Sequence, residues 1–188
     1  GNFTEGKIRF FKNNFWYTEN ADGDKTAHIA FFTDYGGYPL YENKYSGSTE
    51  SYYSYGVVND AMLKYVENSI IAANEAGAKH IMLYNHYAIS QEPSSPILPE
   101  TGLAKIASLC KKYNIELYFN GHEHNNDFTL FSYDGIYDYD ISMTAVRHAV
   151  VELTTRRAKV TIYNKDGSIY REDLIPLSGS GANDTSKP

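Results

Sequence analysis

Two short apolar runs that each lead to histidine constrain the fold of this chain more than any other feature. Residues 81–84 lead to His86, and residues 115–119 lead to His122 and His124. Short, mostly apolar runs of this kind are typical of buried strands in a parallel sheet. Because ligands gather at the carboxyl ends of such strands, we expect the three histidines to share one site. Neutral imidazoles in these positions favour a transition-metal site.

Segments with helical periodicity accompany these runs. A helix is predicted over residues 60–76, where apolar residues recur at helical spacing and Gly77 supplies the helix end. A second helix is predicted over residues 101–113, with Thr101 as its N-cap. The side chains expected to face the sheet are Val66, Ile70, Ile106 and Cys110. The order of helix, strand, loop, helix and strand predicts an α/β fold with one crossover.

Further β-strands are predicted on both sides of this unit. Before it, residues 15–17 and 28–33 form strands. After it, Asp134-Gly135 and Asp166-Gly167 are typical hairpin turns. The C-terminal strands are predicted over residues 128–133, 136–142, 149–153, 159–164 and 168–174. We expect the second N-terminal strand to share a sheet with the two strands that lead to histidine, and the C-terminal hairpins to lie in or near a second sheet.

Length and charge limit the possible functions. A chain of 188 residues with 42% hydrophobic residues can bury one core, so we expect one domain over residues 1–177 and a flexible tail over residues 178–188. A net charge of −6 without a basic stripe argues against nucleic acid as the main partner. No apolar run approaches the roughly 18 residues of a transmembrane helix.

Weaker signals bear on processing and location. The chain does not begin with methionine, which favours a processed chain or a piece of a longer one. Asn2 and Asn183 stand in glycosylation triplets, which favours a glycoprotein that is secreted, lysosomal, vacuolar or otherwise extracytoplasmic. The single cysteine excludes an internal disulfide. The Tyr-rich residues 35–55 predict a surface loop that packs on its own domain or serves in binding.

The remaining three histidines are isolated in the sequence. His28 begins one predicted strand and His80 precedes another, so we expect both to be structural. His148 follows Arg147 at the start of a strand and is a weaker candidate for the site. The metal-site hypothesis therefore depends on the three histidines that follow the two apolar runs.

These strings resemble a known family. The string Gly-His-Glu-His over residues 121–124 resembles the last signature block of the calcineurin-like metallophosphoesterases, and His86 is similar to the histidine of the preceding block. Residues 113–125 look most like the small, animal-type purple acid phosphatases. The resemblance covers residues 15–177 and implies the C-terminal half of an α/β/β/α sandwich, with a mixed sheet and C-terminal β-hairpins.

The resemblance also implies a dinuclear metal site that hydrolyses phosphate esters. His86 and His122 would bind a divalent ion such as Fe, Zn or Mn, and His124 would bind the second ion, which is ferric iron in the acid-phosphatase branch. Such a pair of ions activates a hydroxide and holds the phosphate. The resemblance indicates no catalytic residue in this chain beyond these metal ligands, and no residue indicates how a substrate is bound.

Several motifs of the family have no match in this chain. The blocks Asp-x-His, Gly-Asp-x-x-Asp and Gly-Asn-His are absent, and Gly23-Asp24 is not followed by the required Asp or Tyr. The bridging carboxylates, an asparagine ligand and the histidine that protonates the leaving group are therefore missing. Asn85 and Ala88 also replace the Gly and Pro that are usual in the acid-phosphatase branch.

Two interpretations follow from these departures. In the first, the chain is the C-terminal half of a metal-dependent phosphatase and is inactive alone, because an N-terminal half, from the same protein or from another chain, supplies the carboxylates. Half a sandwich exposes sheet edges that such a partner would cover. In the second, the chain is a catalytically inactive phosphoesterase-like module that serves in interaction or scaffolding. The substrate, the metal identities and the oligomeric state are not indicated.

Overall fold

The computed structural model describes most of the predicted elements. It covers residues 9–10, 16–19, 23–32, 58–89, 102–121, 129–133, 135–140 and 146–177, with the backbone alone for residues 9–10, 129–133 and 140. Some predictions fall on residues outside these ranges. These are the site histidines His122 and His124, the glycosylation triplets at Asn2 and Asn183, the Tyr-rich segment 35–55 and the tail 178–188.

The described part of the chain contains two helices and ten strands. The N-terminal and central elements are β1 (Arg9–Phe10), β2 (Trp16–Glu19), β3 (Lys25–Ala30), α1 (Asp60–Glu75), β4 (Ala78–Tyr84), α2 (Leu103–Lys112) and β5 (Leu117–Asn120). The C-terminal elements are β6 (Thr129–Tyr133), β7 (Ile136–Asp140), β8 (Arg147–Thr154), β9 (Arg157–Asn164) and β10 (Ile169–Pro176). Both predicted helices and all predicted strands are present, with ends shifted by a few residues.

The strands form two sheets. The first has seven strands in the order β1-β2-β3-β4-β5-β7-β6, and the second has three strands in the order β10-β9-β8. In the first sheet β3, β4, β5 and β7 are mutually parallel, while the outer pairs are antiparallel. The second sheet is antiparallel throughout. The predicted mixed α/β fold with C-terminal β-hairpins is therefore confirmed.

The first C-terminal hairpin lies in a different place from the one expected. The hairpin of β6 and β7 belongs to the seven-stranded sheet, because β7 pairs in parallel with β5. Ile136, Asp138 and Tyr139 of β7 are all buried, so this strand is covered on both faces. An interior sheet position satisfies that requirement, whereas a strand in a small separate hairpin would expose one face.

Helix α1 begins and ends as the sequence predicts. The Asn59 side chain caps it by accepting a hydrogen bond of 2.9 Å from the Met62 amide. Gly77 follows the helix with φ of +80°, which a residue with a Cβ rarely adopts. Val66 and Ile70 are fully buried against the sheet. Burial of each such side chain contributes about 1.5–3 kcal/mol to stability.

Helix α2 begins differently from the prediction. Its N-cap is Gly102 rather than Thr101, and no side chain caps it. Gly102 has φ of +79°, and a Cβ placed there would lie 2.3 Å from the carbonyl oxygen of Val58. The segment before α1 and the start of α2 therefore meet at a position that only glycine fits. Ile106 and Cys110 face the core and are fully buried, as predicted.

The two faces of the seven-stranded sheet bury separate cores. The helix-side core is mainly aliphatic and packs α1 and α2 onto the strands. Its central members include Ile29, Val66, Ile70, Leu83, Ile106 and Cys110. The opposite core packs the sheet against β9 and β10. Its members include Met82, Leu117, Phe119, Tyr139, Val160, Ile162 and Ile175. Within the described residues, no helix is both long and apolar enough to span a membrane.

A row of rings crosses the sheet on the face opposite the helices, and we call it the aromatic row. It comprises Trp16, His28, Tyr84, Phe119 and Tyr139, one residue from each of β2, β3, β4, β5 and β7. Successive ring centroids are 5.4–5.9 Å apart and the rings are nearly parallel. His28 also bonds the Thr18 hydroxyl at 3.0 Å and the Tyr84 hydroxyl at 2.8 Å. Burial lowers the pKa of His28 to about 4, so this imidazole is neutral at pH 7.

Candidate functional site at the carboxyl ends of the parallel strands

His86 lies just past the end of β4, where the four parallel strands finish. Its side chain is exposed, although Asn85 and Tyr87 on either side of it are buried. The Asn85 amide donates a hydrogen bond of 3.0 Å to the Phe119 carbonyl, and the Gly121 amide donates one of 3.1 Å to the His86 carbonyl. Pairing between the two chain segments therefore continues beyond β4 and β5. It holds the backbone of His86 beside Gly121.

Asn85 shapes the turn that presents His86. Its side-chain nitrogen donates a hydrogen bond of 2.8 Å to the Phe31 carbonyl at the end of β3. Its side-chain oxygen accepts one of 2.9 Å from the Tyr87 amide. This second bond closes an Asx turn around His86, which is a conformation that asparagine stabilises and glycine does not. Asn85 thus adds two buried hydrogen bonds that a glycine at this position could not make.

The residues after His86 are fixed from the neighbouring strands. The Tyr118 hydroxyl on β5 donates a hydrogen bond of 2.7 Å to the Tyr87 carbonyl. The Ile89 amide donates one of 2.8 Å to Oδ2 of Asp138 on β7. Both acceptors are buried, so losing either bond would leave a polar group without its partner. The segment from Asn85 to Ile89 is therefore held from β3, β5 and β7 at once.

Asp138 forms the base of this arrangement. It is completely buried, and its Oδ1 accepts a hydrogen bond of 2.6 Å from the side-chain nitrogen of Asn120. Burial raises the pKa of Tyr118 well above its usual value, and the nearby Asp138 carboxylate raises it further. We call the side chains of Asn85, Tyr118, Asn120 and Asp138 the polar network. It lies beneath the strand ends, on the helix face of the sheet.

Only one of the three predicted metal ligands lies within the described residues. His86 is placed at the expected edge of the sheet, while His122 and His124 lie outside the described residues. Their convergence with His86 therefore stays a prediction. Within the residues that the structure covers, no group of three His, Cys, Asp or Glu side chains is arranged to hold a metal ion.

The other histidines lie in structural surroundings. His28 belongs to the aromatic row. His80 is partly buried at the start of β4, and burial lowers its pKa. His148 is exposed on β8 in the second sheet, where its ring stacks on Tyr163 at 5.3 Å. These positions agree with the structural roles predicted for His28 and His80.

The polar network was not predicted from the sequence. In β7, Asp138 and Asp140 alternate with Tyr137 and Tyr139, a pattern that favours a polar face for the two aspartates. The sequence therefore gives no signal that Asp138 is buried, because a buried charge depends on specific partners. Those partners come from β5 and from the segment after His86, which are distant in sequence.

Comparison with known proteins identifies the family. Residues 1–126 match the family model of the calcineurin-like phosphoesterases, which is more than half of the chain. The chain belongs to this family. No curated protein shows significant similarity to it. Membership of this family suggests phosphoester hydrolysis, and its members usually bind metal ions.

Solved structures also resemble the chain. One of them is a conserved uncharacterized protein, a predicted phosphoesterase, from Streptococcus pneumoniae TIGR4. The two share 12% sequence identity, and the match covers 62% of this chain and 91% of that one, with a TM-score of 0.30. A likeness of this size carries no argument about the chemistry of the site.

The described part of the site contains one of the three predicted metal ligands. The side chain of His86 is exposed at the carboxyl edge of the parallel strands, while the backbone that carries it is fixed by hydrogen bonds on both sides. A fixed backbone of this kind suits a metal ligand. That His86 binds a metal ion stays a prediction.

Proposed function

We propose that this protein is a metal-dependent phosphoric-ester hydrolase of the acid-phosphatase type. The observation that carries the proposal is the 3.1 Å hydrogen bond from the Gly121 amide to the His86 carbonyl. It joins the chain at His86 to the residue that immediately precedes His122. Membership of the calcineurin-like phosphoesterases supports the reaction class. The resemblance of residues 113–125 to purple acid phosphatases supports the subtype.

In this proposal the three histidines are metal ligands. His86 and His122 hold a divalent ion, and His124 holds a second ion, which is iron in the acid-phosphatase type. When bound, the pair supplies a hydroxide nucleophile and neutralises charge on the phosphate. The chain's own contribution is to keep the His86 imidazole accessible on a fixed backbone. A ligand fixed in this way loses little conformational entropy when it binds the metal.

We also propose that the anionic ligands come from outside the two histidine strings. Three neutral imidazoles do not compensate the positive charge of two adjacent ions, so carboxylates are needed. The family motifs that normally carry them have no match in this sequence. A further segment of the same protein or another chain would supply them. The 188-residue chain alone would then bind one divalent ion weakly and hydrolyse little substrate.

Two histidine variants test the metal site. In His86→Ala, the affinity for Zn²⁺ or Mn²⁺ should fall by at least roughly 10–100-fold, because a direct ligand is lost. In His148→Ala, which removes an exposed histidine of the second sheet, the affinity should not change. Titration calorimetry measures both. Equal affinities in wild type and His86→Ala would contradict the proposal.

An activity assay tests the reaction class and the missing ligands. Hydrolysis of p-nitrophenyl phosphate is measured with and without added metal, on the 188-residue chain and on a preparation that includes any further segment of the protein. We expect metal-dependent turnover in the longer preparation and its loss in His86→Ala. Turnover by the 188-residue chain alone would refute the need for external carboxylates. A longer protein that is inactive with every metal would favour the scaffold interpretation.

A further inference from the structure

Asp138 is the buried carboxylate that bridges the two chain segments of the candidate site. Its Oδ1 contacts the Asn120 side chain, which directly precedes Gly121, at 2.6 Å. Its Oδ2 contacts the Ile89 amide, three residues after His86, at 2.8 Å. One side chain on β7 thus holds both the end of β5 and the segment that follows β4. Both contacts are hydrogen bonds from N–H donors to the same anionic group.

Fold stability alone does not account for a carboxylate at this position. Removing a carboxylate from water is costly even when it is hydrogen-bonded, and an apolar side chain of similar volume often gives equal or greater stability. Apolar residues such as Ile136 and Cys110 also lie in the core on this face. Two acceptor oxygens on one rigid group do provide something that an apolar residue lacks, which is a fixed spacing between two donors.

Asp138 offers an acceptor to both donors in the present arrangement. The Ile89 amide and the Asn120 side-chain nitrogen are both N–H groups, and each meets one oxygen of the carboxylate. An asparagine at position 138 could keep both contacts, because the Asn120 amide can flip and present its Oδ1, which is buried and without a partner among the described residues. An alanine removes both acceptors, so Asp138→Ala is the variant that breaks the bridge.

We propose that Asp138 is a positioning residue that keeps the His86 segment in register with the end of β5. It does not contact the substrate or the metal. It acts through Ile89 and Asn120 to set the distance between the backbones at His86 and Gly121. Its effect on metal binding rests on the function proposed above, whereas its effect on the two backbones can be measured without metal.

Amide hydrogen exchange measured by NMR tests the register directly. In Asp138→Ala, exchange at the Ile89 and Gly121 amides should become faster by about tenfold or more, because both hydrogen bonds that restrain the two segments are lost. Gly121 is informative because its amide bonds the His86 carbonyl and not Asp138 itself. Unchanged protection at Gly121 in this variant would overturn the proposal.

The conservative variant Asp138→Asn separates positioning from simple removal of a buried group. The amide at position 138 accepts a hydrogen bond from the Ile89 amide through its oxygen and donates one from its nitrogen to Oδ1 of a flipped Asn120. Protection at Gly121 should then stay close to that of wild type. Asp138→Asn also keeps the test decisive if Asp138→Ala does not fold, since an Asp138→Asn protein that folds but leaves Gly121 unprotected would refute the proposal.

Asp173→Ala is the matched control. Asp173 is a partly buried carboxylate on β10 that accepts hydrogen bonds from the Tyr139 hydroxyl at 3.3 Å and Arg171 Nε at 2.9 Å. It lies on the opposite side of the seven-stranded sheet. Its loss should lower stability without changing exchange at Gly121. If amide exchange at Gly121 became equally faster in the Asp138 and Asp173 variants, the fold would be destabilised in general. That result would contradict a positioning role.

Titration with Zn²⁺ completes the experiment. We expect Asp138→Ala to bind Zn²⁺ roughly 10–100-fold more weakly than wild type, with near wild-type affinity in Asp138→Asn and no change in Asp173→Ala. If wild type binds no metal while exchange at Gly121 responds as described, the metal-site function fails and the positioning role stands. If wild type binds metal and Asp138→Ala alters neither affinity nor exchange, the positioning role fails and the metal site stands.

Discussion

The two faces of the seven-stranded sheet hold the molecule together by different means. On the helix face, near the carboxyl ends of the strands, Asn85, Tyr118, Asn120 and Asp138 make directional hydrogen bonds of 2.6–2.9 Å to particular backbone and side-chain groups. On the opposite face, the aromatic row stacks from strand to strand with interplanar angles of 7–23°.

The two faces therefore make different contributions: one fixes the positions of chain segments, and the other stabilises the fold. Hydrogen bonds to buried groups fix where a segment lies, and each contributes only about 0.5–1.5 kcal/mol net. Stacked rings bury much more surface but tolerate small shifts of one ring against another. We therefore expect changes in the polar network to affect the candidate site more than the fold. Changes in the aromatic row should affect the fold more than the site.

Phe119→Ala is expected to have the largest effect on stability. Phe119 stacks between Tyr84 at 5.4 Å and Tyr139 at 5.7 Å, so the variant opens a cavity and interrupts the row. The free energy of unfolding should fall by about 3–5 kcal/mol. Urea denaturation measures it, and Phe119→Leu should lose less than about 1.5 kcal/mol. A large loss of Zn²⁺ affinity in folded Phe119→Ala would break the separation between the two faces.

His28→Phe should remove a pH dependence of the free energy of unfolding that arises in the aromatic row. Burial lowers the pKa of His28 from 6.5 to about 4 in the folded protein, so the unfolded state binds more protons between these values. The stability due to the neutral ring is present above pH 6.5 and is lost as the pH falls towards 4. The loss amounts to about 2–3 kcal/mol. Phenylalanine keeps a ring in the row but does not titrate.

The measurement compares unfolding free energies at pH 7 and pH 4.5. Wild type should lose more stability on acidification than His28→Phe does. Trp16→Phe, which alters the adjacent ring of the stack without removing a titratable group, should keep the pH dependence of wild type. An identical pH dependence in wild type and His28→Phe would show that another group is responsible.

A pair of tyrosine variants is expected to have the smallest effects, and it compares the two faces directly. Tyr118→Phe removes the 2.7 Å hydrogen bond to the Tyr87 carbonyl on the helix face, which should cost about 1–2 kcal/mol and weaken Zn²⁺ binding. Tyr139→Phe removes a longer, 3.3 Å bond to Asp173 on the other face, which should cost less than about 1 kcal/mol. If Tyr139→Phe weakened Zn²⁺ binding more than Tyr118→Phe did, the helix face would not be the one that positions the site.

Much of the fold was predictable from local pattern. Helical spacing placed Val66 and Ile70 in the core, and Gly77 marked the end of α1 because a positive φ favours glycine. The start of α2 was not predictable in this way. Thr101 has the side chain of a good N-cap, but the close approach of Val58 to Gly102 decides the position, and that approach depends on tertiary structure.

The candidate site was also predictable in part from local pattern. His86 follows an apolar run, so its place at the edge of the sheet follows from chain order alone. The role of Asn85 was hidden, because resemblance to a family marks it only as a departure from glycine. Asp138 was hidden as well, since its partners Ile89 and Asn120 become neighbours only when β7 pairs with β5.

The single cysteine gives the chain a built-in reporter of its own unfolding. Cys110 is fully buried under α2, and burial raises the pKa of its thiol well above the usual range. An alkylating reagent can therefore reach a reactive thiolate only when the helix side of the core opens. The rate of labelling at this one atom reports how often that core opens, without any probe having to be introduced.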